Sequence, residues 1–166
     1  QGPRHADELV ALVRELGDFS VGVAAFPEGH PESADLEQDA RVLAAKAEAG
    51  AEFAVTQFFF DADTYFRLVD RAAAHGCQIP IIPGVMPVTN VKQIERFAAL
   101  SGTAVPDDLA DRLRAVQDDP EAVRAIGVEA ECIDAIYILR DVAGENCDEE
   151  RCGDPAELGA VFPHKK

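Results

Sequence analysis

The chain has 166 residues, 48% of them hydrophobic, enough for one globular domain with a real core. Its 31 acidic residues against 15 basic ones leave a net charge of −16, which argues against a nucleic-acid partner or an anionic membrane, since both need a basic face. No apolar run approaches the roughly 20 residues that span a bilayer, and the opening QGPRHADELV lacks the apolar segment of a signal peptide.

The first predicted element is a helix over 6–16, where apolar residues at 9, 10, 12, 13 and 16 make one stripe and Gly17 ends it. FSVGVAAF (19–26) is an apolar run of strand length, followed by a turn crowded with Pro27, Glu28, His30, Pro31 and Glu32. Asp35 caps the next helix, with Gln38 three residues on as in a capping box, and Gly50 closes it. EFAVTQFFF (52–60) is the second strand; Asp61 caps the helix after it and Gly76 ends that helix. IPIIPGVMPV (79–88) is the third strand, and Asn90 caps the helix VKQIERFAAL. Pro106 suits the first turn of a further helix, and 119–144 reads as one long last helix with Gly127 as its weak spot.

The order is α-β-α-β-α-β-α-α-α. Strands apolar on both faces and separated by helices predict a parallel sheet covered by helices. Doubly wound and (β/α)8 folds both fit, and in both the chemistry collects at the C-terminal ends of the strands. No GxGxxG and no GxxxxGK[ST] is present, so neither a dinucleotide fingerprint nor a P-loop is supported. Cysteines at 77, 132, 147 and 152 are too sparse for a disulfide framework. Cys147 and Cys152 lack a His-rich companion segment, and no metal is expected. The chain is expected to be a soluble cytoplasmic protein. It opens on Gln1 rather than Met, which leaves room for an upstream segment. Lysines only at 46, 92, 165 and 166 leave a high-salt origin open.

The three strand ends are the least ordinary stretches. At the first, prolines on both sides of His30 stiffen a loop that presents an imidazole, either to a ligand or merely to water or a helix end. At the second, the carboxamide of Gln57 offers two donors and an acceptor. An amide-like heterocycle edge would match it, and so would loop backbone. The three phenylalanines after it read as core. At the third, an Asn90–Gln93 capping box accounts for Gln93, and Phe97 lies one turn further on the same face, where core packing is the ordinary reading. On the 35–49 helix, Asp39 and Lys46 are seven residues apart and share a face with Leu43, usually a solvated one. That face gains interest only if it turns toward a ligand phosphate.

The P-E-x-H-P turn, the T-Q-F-F-F-D strand end and the I-P-G-V-M-P-V turn occur in an order and spacing that resemble the methylenetetrahydrofolate reductase family from about residue 5 to about residue 140. The resemblance implies part of a (β/α)8 TIM barrel, strands five to seven with their helices, over 1–144, followed by a divergent polar tail over 145–166. It implies FAD as cofactor and NAD(P)H as co-substrate for reduction of 5,10-methylenetetrahydrofolate to 5-methyltetrahydrofolate, in one-carbon metabolism and methionine supply. On the matching positions, Ala6, Phe26, His30, Asp39 and Lys46 are expected to contact FAD. Gln57 is expected to contact folate and nicotinamide in turn, and Gln93 and Phe97 to lie on the folate side.

This sequence departs from the family in having Phe26 where a Tyr is common, and Val42 and Ala45 where polar residues help to hold FAD. The family's catalytic Glu is expected upstream of this chain, so the chain alone is expected to be inactive. The alternative is a non-catalytic flavin-binding half-barrel that needs a partner chain. Either reading implies a homo-oligomer or a complementing chain, because an unclosed sheet should expose Val21, Val23, Val55, Ile81 and their neighbours.

Overall fold

The computed structural model describes residues 2–3, 5–86 and 88–130. Helix α1 (Ala6–Leu16) carries Asp7 and Glu8 in its first turn and Arg14 in its last, both signs favourable to the helix dipole. Strand β1 (Gly22–Ala25) follows, then α2 (Leu36–Glu48), β2 (Phe53–Thr56), α3 (Ala62–Ala74), β3 (Ile81–Ile82), α4 (Val91–Ser101) and α5 (Asp107–Ala115). Residues 120–130 are helical as well. The expected tail over 145–166, three of the four cysteines and most of the long last helix lie outside the described residues.

The chain divides into two compact units. The first comprises Gln1–Phe59, Asp63–Gly84 and Ser101–Thr103; the second comprises Phe60–Ala62, Val85–Leu100 and the described residues from Ala104 onward.

In the first unit the strands form one sheet in the order β1-β2-β3. Both pairings are parallel, with Gly22 opposite Phe53, Val23 opposite Ala54, Ala25 opposite Thr56, and Val55 opposite Ile82. Sequential parallel neighbours need a crossover, and α2 and α3 supply the two crossovers. The core lies between the sheet and these helices. Ala25, Leu43, Ala44, Ala54, Leu68, Ala72 and Cys77 are buried there, with Val23, Ala47, Ile79 and Ile81 packed around them. Alanines at the contact positions let the helices approach the strands closely.

The other face of the sheet carries exposed apolar side chains. Val55 is 41% exposed and Ile82 is 45% exposed. An exposed apolar patch is what an unclosed sheet is expected to leave, and Val55 is exposed as expected. Of the other residues expected there, Val23 and Ile81 pack against the helix-covered core instead, and Ile82, paired with Val55, takes the exposed place. Side chains alternate along a strand, so a one-residue shift in register exchanges the faces.

The strands are shorter than their apolar runs. Pro80 and Pro83 bracket β3 and cannot donate to a ladder, although the Pro80 carbonyl still accepts from the Ala54 N–H at 2.9 Å. Strand β2 ends at Thr56, whose hydroxyl accepts the Gly84 N–H at 2.8 Å. Helix bounds held better. Asp35 caps α2 by accepting the Gln38 N–H at 2.6 Å, while the Gln38 carboxamide accepts the Ala34 N–H rather than that of the cap residue itself. Gly50 at φ 110° and Gly76 at φ 82° close α2 and α3. Pro106 stands at the N-cap of α5, one position before the expected first turn.

In the second unit Val88, Val91, Ile94, Leu109, Leu113 and Val123 are buried. Gly127 lies in the helical stretch 120–130, and a Cβ there would come within 2.3 Å of the Val88 carbonyl oxygen. The expected weak spot is thus a close-packing point.

Candidate functional site

The turn after β1 is built around one carboxylate. Asp39, in the first turn of α2, is 9% exposed and has both oxygens occupied by the turn. Its Oδ2 accepts the His30 backbone N–H at 2.9 Å and its Oδ1 accepts the Ser33 hydroxyl. Gly29 takes φ 100° so that the chain can bend back, with its N–H on the Phe26 carbonyl. His30 meets the edge of the Phe26 ring, centroids 4.7 Å apart and planes 80° apart. The His30 Nδ1 accepts the Glu32 N–H at 3.2 Å.

Lys46 lies two turns along α2 from Asp39 and is 7% exposed. Its ammonium donates to the Ala24 carbonyl at 3.0 Å. The carbonyls of Val21, just before β1, and of Ala25 accept from Glu52 and Gln57 on the β2 side, so the Ala24 carbonyl points away from β2, to the edge that no described strand pairs. Burial pushes the Lys46 pKa below the usual lysine value, against a smaller upward pull from Asp39 and then Asp7.

These groups face a cavity of about 740 Å³ that runs along the free edge of β1 between α1 and α2. Its size falls within the range of small-molecule sites, roughly 300–1,000 Å³. Ala6, Leu9, Val10 and Val13 of α1, residues 21–26 and Val42 of α2 give it largely apolar walls. His30, Glu32, Ser33, Gln38, Asp39 and Lys46 form its polar part. Lys46 is the one lysine or arginine among the described residues lining it. All five positions expected at the cofactor, Ala6, Phe26, His30, Asp39 and Lys46, line this single cavity. A bulky ligand with a planar apolar part and an anionic part suits such walls, and FAD has that form.

Gln57 lies just past β2, half-buried; its N–H donates to the Ala25 carbonyl at 2.8 Å and its Oε1 accepts the Phe58 N–H at 3.2 Å. The buried polar group of this strand end is Thr56, which ties β2 to the Pro-Gly turn. Phe59 is buried and stacks on Tyr65 with centroids 5.8 Å apart, as core rather than ligand platform.

Gln93 and Phe97 belong to the second unit. The Asn90 carboxamide accepts the Gln93 N–H at 3.0 Å, which is the expected cap. The Gln93 side chain is exposed, Phe97 is half-buried, and together with Met86, Val88, Thr89, Asn90 and Ile94 they line a cavity of about 100 Å³. Among the described residues no cluster of His, Cys, Asp and Glu stands ready for a metal ion, and no helix is long and apolar enough to cross a membrane.

Ser33 went unremarked in the sequence, and Glu32 and Thr56 stood out only as members of their turn and strand end. The signal for Ser33 was its place shortly before the Asp35 cap, where a hydroxyl commonly turns to a nearby carboxylate or backbone group.

Comparison with known proteins matches residues 1–143 to the family model described as methylenetetrahydrofolate reductase. A 5,10-methylenetetrahydrofolate reductase of Pectobacterium carotovorum subsp. carotovorum is 40% identical over 135 residues, covering 81% of this chain and 45% of the relative. The protein of the same name from Escherichia coli (strain K12) is 39% identical over the same shares. Methylenetetrahydrofolate reductase 1 of Schizosaccharomyces pombe is 40% identical over 77% of this chain and 22% of its own length. The chain thus spans less than half the length of these curated relatives, about 45% for the two bacterial ones.

Proposed function

This chain belongs to the methylenetetrahydrofolate reductase family, and we propose that it forms the flavin wall and the folate-facing turns of a reductase. The reaction is the conversion of 5,10-methylenetetrahydrofolate to 5-methyltetrahydrofolate with NAD(P)H, in the cytoplasm. The observation that carries this reading is the gathering of Ala6, Phe26, His30, Asp39 and Lys46 on one cavity, although they come from α1, the end of β1, the turn and α2. The parallel order β1-β2-β3 with helical crossovers supports a place as strands five to seven of a (β/α)8 barrel.

FAD, when bound, supplies the two-electron carrier between nicotinamide and folate. The residues of this chain bind and orient. Phe26 and His30 offer a stiff aromatic edge. Lys46 offers a positive charge to a phosphate, and Val42 and Ala45 add no polar group beside it, so this wall holds phosphate thinly. The Gln57 carboxamide presents donors and an acceptor to the amide-like edge of whichever partner is docked. Gln93 and Phe97 serve the folate side. None of these residues is assigned the role of catalytic acid; the reading places that Glu on another part of the full-length protein, and the 166-residue chain by itself is expected not to turn over.

The test uses the full-length protein that contains this chain. Visible flavin absorbance after purification and NAD(P)H-dependent formation of 5-methyltetrahydrofolate are expected. Gln57→Glu should cut folate turnover strongly and leave flavin content near normal. A protein that takes up no flavin would refute the reading. Flavin bound without turnover would favour the alternative of a non-catalytic half-barrel with a partner chain, which the exposed pair Val55 and Ile82 gives some ground for.

A further inference from the structure

The five cofactor positions are not chemically alike. Asp39 faces the cavity, but both of its oxygens already accept hydrogen bonds from the turn, one from the His30 N–H and one from the Ser33 hydroxyl. The Ser33 N–H in turn donates to the His30 carbonyl at 2.9 Å. A carboxylate committed in this way organises its own loop. His30 is fixed at three points: its N–H on Asp39, its ring against Phe26, and its Nδ1 accepting the Glu32 N–H. An imidazole nitrogen that accepts an N–H carries no proton, so neutral His30 keeps its proton on Nε2.

We propose that Asp39 and Ser33 are positioning residues that hold the 26–33 turn so that His30 stays in the Nε2–H form and serves as a hydrogen-bond donor to an acceptor atom of the cavity's ligand. Ser33 is thereby added to the site, and Asp39 acts through His30 in addition to facing the cavity. The donor half of this proposal rests on the flavin reading; the positioning half rests on the turn alone.

The experiment has two independent readouts on the full-length protein. The first is 15N NMR of the His30 ring after flavin removal, at a pH where the imidazole is neutral. One bare nitrogen, assigned as Nδ1, and one protonated Nε2 are expected. Ser33→Ala should mix the two tautomers and Ser33→Thr should restore the single one. Asp39→Asn, which keeps an acceptor for the His30 N–H and a polar partner for Ser33, should preserve it as well. Mixed tautomers in the unaltered protein, or a single tautomer that persists in Ser33→Ala, would overturn the positioning role. The second readout is FAD affinity by titration. Ser33→Ala should weaken it about three- to tenfold, the scale of one hydrogen bond, and Ser33→Thr should recover it. Mixed tautomers with unchanged FAD affinity would overturn the donor role while leaving the flavin reading intact. Absence of any FAD binding would overturn the donor role together with that reading, and the NMR result would still judge the turn.

Discussion

Gly84 has no room for a side chain. A Cβ there would lie 2.1 Å from the Thr56 carbonyl oxygen, and its N–H is already held by the Thr56 hydroxyl. The obstacle is backbone, which cannot swing aside, so Gly84→Ala should destabilise by about 2 kcal/mol or more, read from denaturant melts. Gly127→Ala meets the Val88 carbonyl in the same way and should also destabilise, against the mild gain that an alanine normally brings to a helix. Helix propensity alone marks Gly127 as a weak point, because close approach between distant segments leaves no local trace. Lys46 carries a prediction of another kind. Its folded pKa lies below the ordinary value of 10.5, so in the window beneath that value the unfolded chain holds the extra proton and stability rises with pH. The burial penalty is complete at neutral pH and fades as the pH climbs. Relative to Lys46→Met, the unaltered protein should therefore gain stability as the pH rises toward 10.5, and parallel melts at a series of pH values would show a constant gap if it does not.

Helices and strands were legible to different degrees. The apolar stripe of α1 with Gly17 after it locates both ends of that helix, and Asp35 and Asn90 act as the caps that their spacing announces. Asp35→Ala should cost about 1 kcal/mol, visible in the melting midpoint, because the Gln38 N–H loses its acceptor. Strand ends follow from pairing across space instead. The apolar runs overshoot β1, β2 and β3: Pro80 and Pro83 bracket β3, and elsewhere an apolar run does not register where pairing stops. The exposed residues were expected rightly at Val55 and wrongly at Val23 and Ile81 for a related reason: side chains alternate along every strand, but the phase is set by which side α2 and α3 cover. In the site, residue types alone left His30, Gln57 and Lys46 open between ligand and scaffold roles. Only the fold brings Asp39, Ser33 and His30 into one bracket.

For the molecule as a whole, the uncovered pair Val55 and Ile82 and the high negative charge pull in opposite directions. An apolar sheet face favours association, and a net charge of −16 opposes it until salt screens the repulsion. The 166-residue chain made by itself should associate in a concentration-dependent way, more strongly at high salt, by light scattering. Val55→Thr with Ile82→Thr should reduce that association. A monodisperse monomer at every salt concentration would mean that the open face recruits nothing.

The Lys46 ammonium on the outward carbonyl of Ala24 has a consequence for how this sheet can grow. A newcomer strand laid along β1, from the same polypeptide or another, would need that carbonyl as a rung. Lys46 already holds it, so a strand laid there, as the barrel reading requires, pairs from the Gly22 end and leaves the Ala24 rung to the lysine. The last rung of β1 on that side is then a side chain, at the strand end where the site residues gather.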